Sequence, residues 1–276
     1  MLAYIQLLRP KNSIMAVLSV IIVALVASEL EPNIITSTNV VVASLVVFLF
    51  TGAGNTLNDY LDSDIDRLNH PERPIPSGNV CPRNAAVFSC LLFAVAVALG
   101  LWLSVSCMLL ILLNLAIMLS YEFRTKAMGL SGNLMISWLT ASLFLFGGLA
   151  VLGQFPGIMR PVFFMFMLSF FATLGREIAK DIQDMGGDLG RKTLPMWIGP
   201  AKAGRAASFA FIIAVGLSPM PYLFGIFGFY YVMAVLLADA IFIYGANLIS
   251  RNPGKTSATA KLAMFAALAA FLFGVI

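Results

Sequence analysis

The nine residues from Asn58 to Asp66 carry four Asp side chains and one amide, directly after a long apolar segment. In a helix, Asn58, Asp62 and Asp66 fall four residues apart and line one face. Carboxylates stacked this closely repel one another, so the arrangement favours a bound cation. Because the donor atoms are all oxygen, with no His or Cys nearby, the pattern indicates a hard ion, Mg²⁺ before Zn²⁺.

A second acidic stretch follows another apolar segment in the second half of the chain and contains Asp181, Asp184 and Asp188. Asp181 and Asp184 share a helix face, whereas Asp184 and Asp188 are four residues apart, so the spacing leaves both pairs open as ligands of a second ion. Solvated caps balanced by neighbouring Lys and Arg are an equal explanation for one such cluster. Two clusters at matching places favour a functional pair.

The composition predicts a membrane protein with many spans. Hydrophobic residues make up 60% of the 276 residues and charged residues only 11%, far from the balance of a soluble domain. A span needs about 20 apolar residues. Nine segments satisfy that length, so we expect an all-α bundle of nine transmembrane helices around a central cavity, near residues 13–30, 38–57, 84–103, 105–122, 132–152, 159–180, 202–219, 224–249 and 257–276.

The basic residues predict the orientation of these spans. With nine spans, all of the 17 Lys and Arg residues except Arg160 fall on the side of the N-terminus. By the positive-inside rule, that side is cytoplasmic, and both acidic stretches lie on it. The prediction is a multi-pass protein of the cell membrane whose acidic loops face the cytoplasm.

The two acidic stretches are four spans apart, and each is followed by a basic, Pro-containing run. This repetition indicates two pseudo-repeated four-helix units, spans 1–4 and 5–8, with a ninth helix appended. We interpret residues 1–276 as a single transmembrane domain.

Several kinds of site are excluded by residue type. His70 is the only histidine, so neither a His-rich metal site nor a Ser-His-Asp triad is available. The three cysteines, Cys81, Cys90 and Cys107, lack metal-ligand spacing and are interpreted as small buried thiols rather than as part of a disulfide. The Lys and Arg residues are spread over short polar breaks rather than one patch, so neither a nucleic acid nor an obligate protein partner is expected.

Two Mg²⁺-binding clusters with Lys and Arg beside them form an environment for diphosphate oxygens. Because the site lies at a membrane surface, we expect the diphosphate to carry a long hydrocarbon tail. Metal and cations would stabilise the leaving diphosphate while an allylic C–O bond ionises and an acceptor captures the carbocation. The inferred reaction is prenyl transfer.

The first motif, Asn58-Asp59-x-x-Asp62-x-x-x-Asp66 with its continuation Arg67 to Gly78, resembles the first signature of the UbiA family of intramembrane prenyltransferases. The resemblance covers nearly the whole chain, because that family has nine transmembrane helices and two aspartate-rich cytoplasmic loops. The second motif, from Arg176 to Asp188 and then Lys192 to Pro195, is most similar to archaeal members that act in ether-lipid synthesis.

That resemblance implies geranylgeranyl diphosphate as donor and a prenylated glyceryl phosphate, 3-O-geranylgeranylglyceryl 1-phosphate, as acceptor, with membrane lipid around both. It assigns one Mg²⁺ to Asn58, Asp62 and Asp66 and another to Asp181 with Asp184, and these four Asp residues are the catalytic set. The expected substrate contacts are Arg67, Tyr121, Lys126, Lys180 and Asp188. Tyr121 would face the carbocation with its ring or the diphosphate with its hydroxyl, and an interfacial tyrosine is an equal alternative.

Three other interpretations are kept. The acceptor could be an aromatic quinone precursor or a chlorophyll-type alcohol, as in other members of the same family. A secondary transporter could use Asp239, deep in the eighth span, but nearly all other acids lie at one interface rather than at the midplane. A catalytically inactive lipid-binding scaffold would have lost its acidic clusters, and these are intact.

Overall fold

The computed structural model of the protein describes residues 2–28, 32–34, 37–125, 128–153, 155–185 and 192–274. Over these residues the chain is built from helices, and one isolated backbone bridge joins Met128 to Lys192. The helices are α1 (Leu2–Leu7), α2 (Pro10–Ser28), α3 (Thr38–Leu61), α4 (Ser63–Asn69), α5 (Pro82–Leu103), α6 (Val105–Phe123), α7 (Leu130–Val151), α8 (Met159–Asp184), α9 (Leu194–Ile198), α10 (Pro200–Leu217), α11 (Met220–Leu223), α12 (Phe229–Leu248) and α13 (Pro253–Phe273).

Nine helices in the described part of the chain are long and apolar enough to cross a membrane. They are α2, α3, α5, α6, α7, α8, α10, α12 and α13, with short 3-10 or α-helical turns extending α8 and α10. The predicted fold class, an all-α polytopic membrane protein with nine spans, is confirmed. The division into two four-helix units stays a prediction.

The helix ends differ from the predicted spans in ways that matter for the acidic residues. Helix α3 continues to Leu61 and α8 to Asp184, so both acidic stretches begin on helices rather than in loops. Helix α12 begins at Phe229, later than predicted, because the short helix α11 and a turn at Gly225 (φ 65°) precede it.

The connection between α5 and α6 is as short as the sequence predicts. Ser104 alone separates the two helices, and its extended backbone (φ −172°, ψ 160°) reverses the chain. Its hydroxyl accepts a hydrogen bond from the Cys107 N–H at 3.0 Å, which caps α6. The helices then pack so closely that a Cβ on Gly100 would lie 2.1 Å from Ile111 Cδ1.

Two large apolar clusters hold the spans together. One joins α2, α3, α5, α6 and α7 around Val46 and Ile111, and the other joins α2, α3, α7, α8, α12 and α13 around Met165 and Tyr231. Because α2, α3 and α7 contribute to both clusters, they connect the two halves of the bundle. Between the halves lies a central cavity.

Candidate active site

The central cavity has a volume of about 540 Å³ and is lined by eight of the nine spans. None of the 22 residues of α5, all of which the structure describes, lines it. Where α2 begins and α3, α6 and α8 end, the lining is polar: Arg9, Asn12, Asn55, Asn58, Tyr121, Glu122, Arg176, Glu177 and Lys180. Deeper in, it is mainly apolar, and includes Leu143, Phe144, Leu168, Leu268 and Phe271. We call the polar end the mouth.

The spacing predicted that the first acidic stretch forms one uninterrupted helix, but the structure shows two helices there. Helix α3 ends at Leu61, Asp62 adopts φ −88° and ψ 6°, and α4 begins at Ser63. The backbone hydrogen bonds nevertheless keep helical spacing across the junction, since Asp62 N–H donates to Asn58 O at 2.9 Å and Asp66 N–H to Asp62 O at 2.8 Å. The chain therefore bends at Asp62 while it stays wound.

This bend separates the partners of the three predicted ligands. Asn58 Nδ2 donates to Asp62 Oδ2 at 3.1 Å and to both carboxylate oxygens of Glu122 at 3.2 Å. Asp66 is buried, and its Oδ2 accepts a hydrogen bond from Arg73 at 2.5 Å. Asn58, which lines the mouth, thus has Asp62 beside it, whereas Asp66 faces Arg73. Neither Asp62 nor Asp66 lines the cavity itself.

Asp59 joins the mouth to two other parts of the chain. Its side chain is only 4% exposed, and it forms ion pairs with Arg9 and, at 3.5 Å, with Arg73. Arg9 also lies 3.4 Å from Asn58 Oδ1. Arg9 has φ 45°, the only positive φ of a non-glycine residue in the part of the chain that the structure describes. A backbone conformation this unfavourable persists because the surrounding contacts hold it.

Arg67, a predicted phosphate contact, lies away from the cavity. It is well exposed and pairs with Asp64 at 3.3 Å, and Asp64 is itself 88% exposed. Tyr121 and Lys180, by contrast, both line the cavity. The predicted contacts Lys126 and Asp188 lie outside the described residues.

The second acidic stretch begins on the last turns of α8. Asn133, on α7, is buried and donates from Nδ2 to Asp181 Oδ2 at 2.9 Å. Asp184 is the last residue of α8. One turn before Lys180, Arg176 forms an ion pair with Glu177 at 2.5 Å. Helix α8 therefore places the second cluster directly after Lys180, which lines the mouth, although neither Asp181 nor Asp184 lines the cavity itself.

A backbone contact connects the α6–α7 connection with the segment after the second cluster. Gly129 N–H donates to Lys192 O at 2.8 Å, next to the bridge between Met128 and Lys192. Gly129 has φ 55°, and a Cβ there would lie 3.3 Å from the Trp197 ring. The close approach and the positive φ together favour glycine at this position.

The donor atoms at the mouth suit a hard ion that is shared with a phosphate ligand. Within the described ranges, no group of three or more His, Cys, Asp or Glu side chains could hold a metal ion by itself. Mg²⁺ is commonly bound by one or two carboxylates plus phosphate oxygens and water, so the carboxylates of Asp62 and Asp181 fit it. Asn133 Oδ1, beside Asp181, is buried without a hydrogen-bond partner, which leaves one more oxygen ready to accept.

Seven residues at or beside the mouth were not predicted as site residues. Arg9, Glu122, Arg176 and Glu177 line the mouth, whereas Asp59, Arg73 and Asn133 contact Arg9, Asp66 and Asp181 beside it. Glu122 could have been identified, because it falls within the predicted span 105–122, and an ionisable residue inside a span usually serves function. The role of Arg9 was not, because its partner Asp59 lies 50 positions away in the chain.

The chain was compared with known proteins. The pattern of the UbiA prenyltransferase family matches residues 16–269. A digeranylgeranylglyceryl phosphate synthase from Methanococcus maripaludis is 39% identical over 281 residues, covering 99% of this chain and 97% of that protein.

Two solved structures have a similar fold. One, from a study of digeranylgeranylglyceryl phosphate synthase in membranes, superposes with a TM-score of 0.86 at 36% identity, covering 99% of this chain and 98% of that one. The other is a UbiA homologue from Archaeoglobus fulgidus bound to DMAPP and Mg²⁺, with a TM-score of 0.62 at 20% identity, covering 97% of this chain and 98% of that one.

The match to the family pattern spans nearly the whole described bundle, and the most similar relatives and folds agree with it. The chain therefore belongs to the UbiA prenyltransferase family, whose members are multi-pass membrane proteins.

Proposed function

We propose that the protein is a Mg²⁺-dependent intramembrane prenyltransferase that moves a geranylgeranyl group from geranylgeranyl diphosphate to the free hydroxyl of 3-O-geranylgeranylglyceryl 1-phosphate. The main support is the central cavity, whose mouth carries carboxylates, amides and cations while its depth is apolar. Such a gradient suits a substrate with a diphosphate head and a hydrocarbon tail. The similarity to digeranylgeranylglyceryl phosphate synthases supports the acceptor.

In this proposal Asn58, Asp62 and Asp66 hold one Mg²⁺, and Asp181 with Asp184 holds another. Bound there, the ions would neutralise charge on the leaving diphosphate. The Archaeoglobus homologue bound to DMAPP and Mg²⁺ supports a divalent metal in this fold, while the choice of ligands rests on the sequence motifs. Asp66 would have to give up its hydrogen bond from Arg73 to take part.

The chain's own residues then position and stabilise the reacting groups. Lys180, at the mouth, binds diphosphate oxygens, and Lys126 is assigned the same role. Arg67 is left out of this role, because it pairs with the exposed Asp64 and does not line the cavity. Tyr121 lines the cavity beside Glu122, where its ring can face the carbocation. The allylic C1–O bond breaks with its electron pair on diphosphate, the acceptor oxygen bonds to C1, and the hydroxyl proton is released.

The apolar walls around Phe144 and Leu168 would hold the tail and exclude water from the cation. We further propose that the mouth faces the cytoplasm and that the protein lies in the cell membrane, as the distribution of Lys and Arg predicts.

The experiment supplies labelled geranylgeranyl diphosphate and Mg²⁺ to the purified protein, with the phosphorylated prenyl glycerol or an aromatic acid as acceptor. We expect the diether phosphate as product, and none after chelation of Mg²⁺. Asp62→Ala and Asp181→Ala should abolish diphosphate release. Asp64→Ala is the matched control from the same stretch, because Asp64 is 88% exposed and should retain activity. Full activity of Asp62→Ala or Asp181→Ala would refute the metal assignment, and transfer only to the aromatic acid would refute the acceptor.

A further inference from the structure

Helix α13 presents an amphipathic stripe to the cavity. Lys261, Met264, Leu268 and Phe271 all line it, and their spacing of three, four and three residues places them on one helix face. Lys261 lies at the end of the stripe nearer the mouth, and the apolar members continue into the depth. The stripe therefore has one cation followed by about 10 Å of apolar surface from Met264 to Phe271, at 1.5 Å of rise per residue.

Lys261 lies eight residues after Pro253, the first residue of the span. An ammonium group inside a membrane span is costly, and it usually faces a cavity and serves function. Its side chain is exposed to the cavity, and no Asp or Glu among the described residues forms an ion pair with it. The acid on the neighbouring span, Asp239, instead accepts a hydrogen bond from Ser218 at 2.6 Å.

Packing places Lys261 deeper than the acidic clusters and on another wall. Ala260, its neighbour in sequence, belongs to one buried cluster with Ala172 of α8. Arg176 is one turn beyond Ala172 towards the mouth, Lys180 is a further turn on, and the second acidic cluster begins directly after it, at Asp181. Lys261 is therefore about two turns, roughly 10 Å, below that cluster. On this backbone spacing, we place an anion bound at Lys261 deeper than the diphosphate.

We propose that Lys261 is a specificity-determining residue that binds the phosphate monoester of the acceptor, while the acceptor's existing hydrocarbon chain lies along Met264, Leu268 and Phe271. This inference rests on the proposed function, because it assigns a second subsite within the same cavity. Arg176 contributes less charge to such a subsite, since Glu177 already pairs with it. Lys261 is thus the cation that distinguishes a phosphorylated acceptor from a neutral one.

The test compares Lys261→Met, Lys261→Arg and the control Lys255→Met in the full-length protein. Lys255 is on the same helix and exposed, but does not line the cavity. For Lys261→Met we expect the KM of the phosphorylated acceptor to rise about tenfold to a hundredfold, because a charge-assisted hydrogen bond is lost. The KM of the donor should be unchanged. Lys261→Arg should restore most of the affinity, and Lys255→Met should equal the unmodified protein.

A second acceptor, the same prenyl glycerol without its phosphate, separates charge recognition from a structural effect. With this acceptor, Lys261→Met and the unmodified protein should have equal KM, since the group that Lys261 contacts is missing. An unchanged KM for the phosphorylated acceptor, or an equal loss with both acceptors or with the donor, would overturn the subsite. If the unmodified protein transferred a prenyl group to neither of the two acceptors, the proposed function itself would be overturned.

Discussion

The ion pairs of Asp59 predict an asymmetry between two single substitutions. Asp59 is 4% exposed and Arg9 32% exposed, so the carboxylate depends on its partners whereas the guanidinium can be hydrated. Arg9→Met leaves the buried carboxylate with Arg73 at 3.5 Å as its remaining ion-pair partner. Removing one partner of a buried pair costs about 3–5 kcal/mol, and the remaining arginine reduces that to about 2–3 kcal/mol.

Asp59→Asn should cost less. The amide oxygen still accepts a hydrogen bond from Arg9, and no buried charge is left behind, so we expect a loss of about 1 kcal/mol. In the double variant Arg9→Met/Asp59→Asn, the buried carboxylate that makes Arg9→Met costly is absent. Its stability should therefore lie near that of Asp59→Asn and above that of Arg9→Met.

The measurement is the free energy of unfolding of all three variants in detergent micelles, in a denaturant titration at constant pH and ionic strength. We expect the unmodified protein to be the most stable, followed by Asp59→Asn and, close to that variant, the double variant. Arg9→Met should be the least stable. Equal losses for the two single variants, or additive losses in the double variant, would refute the assignment of the cost to a stranded buried carboxylate.

Two further predictions concern the mouth and its orientation. Asn133→Leu removes the hydrogen bond that orients Asp181, so the Mg²⁺ concentration needed for half-maximal activity should rise about tenfold to a hundredfold; an unchanged Mg²⁺ titration would contradict this role. The orientation can be tested with single cysteines in a background free of other cysteines. Leu68→Cys, at a position 86% exposed beside the first acidic stretch, should react with an impermeant thiol reagent from the cytoplasmic side only, whereas Leu223→Cys, at a position 66% exposed between α10 and α12, should react from the opposite side only. The reverse pattern would overturn the proposed orientation.

The spans were predictable because each depends on a local property, a run of apolar residues long enough to cross a bilayer. Their ends were less so. A hydropathy argument ends a span where charges begin, near Lys180, but the backbone hydrogen bonds of α8 continue to Asp184. The helix continues beyond its apolar stretch because the backbone hydrogen bonds of a helix also form outside a membrane.

The carboxylates of the site were also predictable, from residue type and spacing, but their partners were not. Nothing local at Asp62, neither Gly nor Pro, indicates that α3 ends just before it. The contacts of Asp59 with Arg9, and of Asp181 with Asn133, connect positions about 50 residues apart and depend on how whole helices pack. Such pairings follow from the tertiary structure and cannot be predicted from the local pattern of a single sequence.

Helix α5 has a consequence for how substitutions are tolerated. It is a full-length span that packs mainly on α3 and α6 and contributes nothing to the cavity wall. In a saturation mutagenesis screen for activity, exchanges among apolar residues on its outer face should be nearly neutral. Similar exchanges on the cavity faces of α8 and α13 should change which tails the protein accepts. The bundle thus contains one span whose outer face should tolerate apolar exchanges, and others whose cavity faces should determine which tail binds.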